Sequence, residues 1–457
     1  MHICRKGEVD YNMEFKRKIY AKMLEWKKDY APNYALFLKG ARRVGKSTLA
    51  QKLGKEEYKT YVEIRFDKAP DAIKDLFVNS LEDLDMFFNK IQVFYKTKLY
   101  PRESLIILDE IQLFPAARQA LKTLLEDRRY DYIETGSLAS ITKKSKKILI
   151  PSEEYTIEVL PMDFEEFLWA LGDNVTIDLV REHYQKIKPL GQINKSIFHK
   201  FREYLLVGGM PQAVVKYVET KDFGKVDFVK QTILRLYEND IDSQEEENPI
   251  YIKNILMHIP SELSKHDKQF VLSHIDGARK REYSGSLKWL NDAMIVNISE
   301  NVNDPSVAFN LSTIDPSFKC YMGDTGLLVS LAYKNKDYLE NELYNAILFD
   351  KLHINEGMII ENVVCQSLKM NGHNIYFYKK TDKETKKTIM EIDFLVRHGN
   401  KVCPIEVKSS DNYSTKSLEL FKKTFSNKIG TQYVLHNGDV KKDKEIVYLP
   451  YYMSFCL

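Results

Sequence analysis

Two groups of residues in this 457-residue chain have the types and spacing to do chemistry. The first opens with Gly40-Ala41-Arg42-Arg43-Val44-Gly45-Lys46-Ser47, which fits GxxxxGK[ST] and runs on into Thr48. Glycine permits backbone conformations that other residues resist, so successive N–H groups can turn toward a phosphate. In such a loop Lys46 reaches the β- and γ-phosphates and the Ser47 hydroxyl ligates Mg²⁺. The helix that follows adds a partial positive charge behind the anion. The pattern therefore predicts ATP with Mg²⁺, lined by Gly40 through Thr48. Hydrolysis needs a second element, and Ser104-Leu105-Ile106-Ile107-Leu108-Asp109-Glu110 has its form, an apolar strand ending in two acids. Asp109 would hold Mg²⁺, and Glu110 would orient or deprotonate the attacking water. Thr135-Gly136-Ser137 ends the next apolar run, so Ser137 or Thr135 is the candidate that senses the γ-phosphate.

The second group lies near the C-terminus. Asp393 sits in Met390-Glu391-Ile392-Asp393-Phe394-Leu395-Val396, and Glu406-Val407-Lys408 ends the following strand. Alternation along a strand puts Glu406 and Lys408 on one face. With Asp393 beside them, two carboxylates could share a divalent metal while Lys408 positions water. Glu361, on the preceding helical segment, could complete the set. The order of a helix with Glu, a strand with Asp, then a strand with Glu-x-Lys resembles the acidic-x-lysine nuclease superfamily. The same pattern also arises on amphipathic edge strands of mixed charge.

Both groups need elements to position them. From Tyr34 to about Phe167, short apolar runs alternate with helical patterns, which is the rhythm of a parallel sheet flanked by helices. The strands expected are Ala35 to Leu38, Tyr61 to Phe66, Ser104 to Leu108, Tyr132 to Thr135 and Thr156 to Leu160, preceded by a charged helix from Phe15 to Tyr30. After Phe167 the pattern becomes mainly helical. Residues Ser261 to Ile298 give helix, turn around Asp276-Gly277, helix and strand, compatible with a winged helix-turn-helix whose Arg279-Lys280-Arg281 and Lys288 could meet phosphates. A small α/β unit closes the chain, with a helix to Met370, strands at Asn374 to Tyr378, Ile389 to Val396 and Val402 to Val407, a helix from Lys416 to Phe425 and a strand near Gln432 to Leu435. The fold class is α/β multidomain, divided at 1–170, 171–335 and 336–457.

Composition sets the outer limits. The 68 Lys and Arg nearly balance the 65 Asp and Glu, so net charge gives no argument for nucleic acid. Five widely spaced cysteines without a CxxC pair suit reduced thiols. No apolar run is long enough to span a membrane, and the expectation is a cytoplasmic protein without membrane contact.

Together with Leu108-Asp109-Glu110-Ile111-Gln112 and Thr135-Gly136-Ser137, the phosphate loop resembles the AAA-type prokaryotic ATP-binding proteins. Three further segments are similar to ones that mark the same family: Leu160-Pro161-Met162-Asp163-Phe164-Glu165-Glu166-Phe167, Tyr204-Leu205-Leu206-Val207-Gly208-Gly209-Met210-Pro211 and Tyr321-Met322-Gly323-Asp324-Thr325-Gly326-Leu327. The resemblance implies an AAA domain joined to a C-terminal domain with a restriction-endonuclease-like fold, and possible homo-oligomers. Many relatives carry Gly-Arg before the strand that leads into Pro-x-x-Phe-x-Glu-Phe, whereas this chain reads Ile150-Pro151-Ser152-Glu153-Glu154-Tyr155. Arg42, Arg43, Arg118, Arg128 and Arg129 remain as candidates for a transition-state arginine. Two readings follow. One is an ATPase coupling hydrolysis to a C-terminal domain that binds or cuts DNA or RNA. The other is a nucleotide-controlled switch that binds a protein partner through an inactive nuclease-like domain. A small-molecule kinase fits less well, because adjacent Asp109 and Glu110 suit water activation.

Overall fold

The computed structural model describes residues 14–136, 152–244, 248–265, 267–270, 280–305, 313–334, 356–382, 384–385, 387–409 and 413–457. Its first sheet contains β1 (Ala35–Lys39), β2 (Thr60–Arg65), β3 (Ser104–Asp109), β4 (Asp131–Gly136) and β5 (Glu154–Glu158), in the order β2-β3-β4-β1-β5. Every pairing is parallel. β3 is buried along its whole length, as a strand covered by helices on both faces should be, and this is why it reads as an unbroken apolar run. Because all five strands point one way, their C-terminal ends share one edge. That edge carries the loop after β1 and the acids after β3, the usual place for a ligand in an open α/β sheet. Helix Ile19–Asp29 buries Met23 and Trp26 against one face of this sheet, alongside Leu36, Leu38 and Leu53.

Helices Phe164–Ala170, Thr176–Lys186, Gln192–Val207, Pro211–Thr220, Phe223–Asp242 and Pro249–Leu263 follow. The first is started by a capping box, in which Asp163 accepts from the Glu166 N–H at 2.8 Å and Glu166 reaches back to the Asp163 N–H. Helix Lys280–Asp292 packs on Pro249–Leu263. The turn expected at Asp276-Gly277 and Arg279 lie outside the described residues.

The second sheet has eight strands: β6 (Val296–Val302), β7 (Thr313–Met322), β8 (Tyr376–Thr381), β9 (Thr388–His398), β10 (Lys401–Lys408), β11 (Gln432–His436), β12 (Lys441–Asp443) and β13 (Ile446–Pro450). Their order is β12-β13-β11-β10-β9-β8-β6-β7. β6 and β7 form an antiparallel pair after two helices, the succession a winged helix uses. That pair is not a free wing, however, because β8 takes the other edge of β6 through Glu300↔Tyr376 and Asn301↔Phe377. The sheet thus crosses position 336, joining strands from 296–322 to strands from 376 onward.

Three separated segments meet in one buried junction between the units. The Met162 N–H donates to Gly209 O at 2.7 Å, and the Tyr204 hydroxyl donates to Met162 O at 2.9 Å. Asp324 accepts from the Gly209 N–H at 2.6 Å and the Leu327 N–H at 2.9 Å. Gln366, on helix Glu356–Met370, donates to the Tyr204 hydroxyl and accepts from Thr325. Glycine is required here by proximity: a Cβ on Gly209 would sit 2.0 Å from Met162 O. The segments around Met162, Gly209 and Asp324 are the three further segments on which the family resemblance rests. Their chemistry is backbone contact at close range.

Candidate nucleotide site

The phosphate loop leaves β1 at Lys39 and enters helix Lys46–Glu57. Gly45, the N-cap, has φ +99°, a left-handed conformation that side chains resist. Gly40 is pressed against the residue that follows β5, where a Cβ would lie 2.4 Å from Val159 O. Ala41 and Val44 are buried, Arg42, Arg43 and Thr48 exposed, and Ser47 half-buried. Lys46 is buried, and its ammonium donates to Gly40 O and Ala41 O, both at 2.9 Å. Burial holds its pKa below the ordinary lysine value, against the pull of Glu110 and Asp109. Its partners are thus carbonyls of its own loop.

The acids at the end of β3 lie against the phosphate loop and the end of β4. Ser47 Oγ donates to Asp109 Oδ1 at 2.6 Å, and Thr135 Oγ1 donates to the same oxygen at 2.5 Å. Asp109 is buried, and Arg65 Nε lies 3.8 Å from its Oδ2. A carboxylate flanked by two hydroxyls is a hard-oxygen donor set, which fits Mg²⁺. Ser47 and Asp109 would hold it. Glu110 has φ +55°, unusual for a residue with a side chain and of the kind that collects at functional sites. Its carboxylate accepts from the Gln112 amide, and its N–H approaches Thr135 Oγ1 at 3.3 Å. Ser137 lies outside the described residues, so Thr135 carries what is described of the expected β4 sensor.

Four of the five candidate arginines separate by position, and Arg43 is exposed on the loop. Arg128 and Arg129 precede β4, at the sheet edge opposite the loop, and Arg129 is tied to Asp127 and Asp85. Arg118 forms a bidentate pair with Glu154 at 2.7 and 2.6 Å, over the Phe37 ring. The partners of Arg118 and Arg129 all lie outside the phosphate loop. Arg42 lies in it, with a partner from the helical region: its guanidinium is 2.5 Å from Asp240 on helix Phe223–Asp242, and the Tyr237 hydroxyl donates to Arg42 O at 3.2 Å. Burial pushes the Asp240 carboxyl up, opposed by Arg42. Arg17 is a further positioning residue, donating to Val44 O at 3.3 Å, Leu160 O at 2.6 Å and Glu166 at 3.1 Å. In sequence Arg17, Tyr237 and Asp240 are ordinary members of charged helices. Gln112 lies in the Asp109-Glu110-Ile111-Gln112 run, where an amide two residues beyond the acid could have marked it.

Of the four expected C-terminal residues, Glu361 and Asp393 gather around a lysine, and Glu391 joins them. Lys319 on β7 is buried, with Nζ 3.2 Å from Glu361 Oε1, 3.3 Å from Glu391 Oε1 and 3.6 Å from Asp393 Oδ1. Burial would lower its pKa, but Glu361, Asp393 and Glu391 raise it above the ordinary value. Burial would raise Glu361, yet Lys319 and Lys268 hold it at about 2. Glu406 and Lys408 do share a face, 2.5 Å apart, and burial pushes Glu406 up to about 7 against Lys408. Among the described residues no group of three or more His, Cys, Asp or Glu is arranged to hold a metal ion.

Residues 32–168 match the family model described as an AAA domain. This segment is an AAA-type ATPase domain. Beyond the AAA domain, residues 198–338 and 356–453 match two domains of unknown function, DUF8612 and DUF4143. The chain is 22% identical over 400 residues to an uncharacterized protein of Methanocaldococcus jannaschii, covering 85% of this chain and 78% of that one. AMPPCP-bound DnaA from Aquifex aeolicus is 14% identical, with a TM-score of 0.26 over 61% of this chain and 77% of that one. PCH-2 from C. elegans is 12% identical, with a TM-score of 0.27 over 48% of this chain and 66% of that one. Among the described residues no helix is long and apolar enough to cross a membrane.

Proposed function

We propose that this chain is a Mg²⁺-dependent ATPase that acts as a nucleotide-controlled switch. The observation that carries the reading is the contact of Ser47 and Thr135 with one oxygen of Asp109, beside a buried Lys46 and a tethered Glu110. Mg²⁺ held by Ser47 and Asp109 would neutralise charge on the β- and γ-phosphates. Lys46 exchanges Gly40 O and Ala41 O for phosphate oxygens, and the loop N–H groups bind the anion. Glu110, steadied by Gln112, orients a water in line with the γ-phosphorus and accepts its proton as the β,γ-bridging bond breaks. The switch element is helix Phe223–Asp242, because phosphates arriving at Arg42 compete with Asp240 for the guanidinium.

A second reading couples the same hydrolysis to a nucleic-acid-associated C-terminal domain. Exposed Lys380 and Lys387 at the β8–β9 connection favour it, since they can meet a phosphate backbone. ATP turnover of wild type, Lys46→Ala and Glu110→Gln, measured with and without duplex DNA, tests both readings. The switch predicts slow turnover that is indifferent to DNA, abolished in Lys46→Ala, and lost in Glu110→Gln with ATP binding retained. Turnover that rises strongly with DNA selects the second reading. Unchanged turnover in Lys46→Ala would overturn the ATPase itself.

A further inference from the structure

Glu361, Asp393, Glu406 and Lys408 stand in the order that metal-dependent nucleases use, so their surroundings decide whether a divalent ion fits. Such an ion needs several oxygens converging on it at roughly 2.0–2.6 Å and no other cation in their midst. Here the space between the acids holds an ammonium. Lys319 Nζ lies within 3.6 Å of carboxylate oxygens from Glu361, Glu391 and Asp393, which come from one helix and one strand. Other oxygens of the set are engaged too: Glu361 accepts from the Tyr321 hydroxyl at 2.5 Å and pairs with Lys268, and Asp393 Oδ2 accepts from the Val407 N–H at 2.9 Å. Glu406 is ion-paired with Lys408 instead, and its buried oxygens accept no hydrogen bond among the described residues. The residues present do not fit a divalent ion.

The contrast with the nucleotide site is internal to the molecule. Asp109 is flanked by two hydroxyls and its cation neighbour, Arg65 at 3.8 Å, is exposed, whereas the ammonium that faces Asp393 and Glu361 is buried. A dication placed among Glu361, Glu391 and Asp393 would meet that fixed positive charge at close range in a poorly screened interior.

We infer that Lys319 is the resident cation of the C-terminal carboxylate cluster, standing where a divalent ion would, and that the cluster is an anchoring centre without metal-dependent cleavage. What it anchors is visible in the contacts of the same helix. One residue after Glu361, Asn362 accepts from the Met322 N–H at 2.8 Å and donates to Thr325 Oγ1 at 3.0 Å. Gln366, one turn on, joins Tyr204 in the junction with the helical region. Lys319 therefore fixes the helix through which the C-terminal sheet meets the rest of the chain. This inference stands whether or not the phosphate loop hydrolyses ATP.

The test is a Mn²⁺ titration of the full-length, nucleotide-free protein, followed by electron paramagnetic resonance and calorimetry. Wild type is expected to show no saturable Mn²⁺ site that depends on Asp393. Lys319→Met is expected to acquire one site, which the added substitution Asp393→Asn removes. One equivalent of Mn²⁺ bound by wild type, lost in Asp393→Asn and kept in Asp109→Asn, would overturn the inference. A folded Lys319→Met protein that still binds no Mn²⁺ would also overturn it, because the acids would then not be a cation site that lysine fills. If Lys319→Met does not fold, the comparison of wild type with Asp393→Asn and Asp109→Asn decides alone.

Discussion

Arg42 of the phosphate loop and Asp240 near the end of helix Phe223–Asp242 form an ion pair at 2.5 Å, across 198 positions of sequence. Both side chains are partly exposed, so the pair contributes at most about 1 kcal/mol. Its importance is its place. A bound triphosphate brings its own negative charge to Arg42, and Asp240 then repels it. Asp240→Asn is expected to tighten ATP binding about two- to fivefold, equivalent to about 0.5–1 kcal/mol, with a smaller gain at high salt. Titration with a fluorescent ATP analogue reads this directly. Weaker binding in the variant would mean that Asp240 supports the ligand, the opposite of a latch.

The hydrogen bond from Gln112 to Glu110 holds the proposed water-positioning carboxylate in one orientation. If Gln112 acts only through Glu110, its loss should slow chemistry without weakening binding. Gln112→Ala is expected to lower kcat roughly tenfold at nearly constant KM, within the range general-base positioning supplies. Gln112→Glu, which sets a like charge beside Glu110, should be worse than alanine. A rise in KM with kcat unchanged would assign Gln112 to nucleotide binding.

At the junction, a methyl group on Gly209 would overlap Met162 O, a backbone atom that also accepts from the Tyr204 hydroxyl. Gly209→Ala should destabilise the chain by on the order of 3 kcal/mol or more, among the largest single-substitution effects. Gly357 is the control. It lies in helix Glu356–Met370, where a Cβ would meet its nearest atom at 3.5 Å, and Gly357→Ala should be neutral or stabilising by about 0.5–1 kcal/mol. Thermal unfolding of the two proteins side by side checks the contrast, and equal losses would show that the junction is looser than its geometry implies.

These relationships differ in how far the sequence reveals them. The five strands of the first sheet are short apolar runs between turn signals, and each expected span lies within two residues of the observed one at both ends. The same holds for β9, β10 and helix Lys416–Phe425. By contrast β12 is a fully exposed Lys-Lys-Asp segment with no strand pattern, and the pairing of β6 with β8 joins residues some 75 positions apart. Local periodicity cannot report either. Arg17, Asp240 and Lys319 are single charges whose roles arise from tertiary contacts. Lys319 does leave a trace, since a lone lysine between Phe318 and Cys320-Tyr321 in an otherwise apolar stretch must find carboxylates or reach water.

The carboxyls around Lys319 and Lys408 set opposite pH dependences. Burial raises Glu406 to about 7 in the folded chain, against Lys408, whereas an unfolded glutamate titrates near 4.3. The folded state therefore holds this proton more tightly, so the associated stability is fully present below pH ~4 and is lost as pH rises through about 7. Burial also acts to raise Glu361, but Lys319 and Lys268 hold it at about 2. Its contribution is present above pH ~4.3 and disappears as pH falls toward 2. Glu406→Gln removes the first dependence. Relative to wild type, its unfolding temperature should climb between pH 6 and pH 8, by an amount corresponding to about 1.4 kcal/mol, one pH unit of linkage. Glu361→Gln should be strongly destabilised at pH 7, with the gap closing below pH ~4. Calorimetric scans across pH 3–8 test both signs, and a Glu406→Gln offset that stays constant from pH 6 to pH 8 would show that Glu406 is already ionised throughout, with Lys408 outweighing its burial.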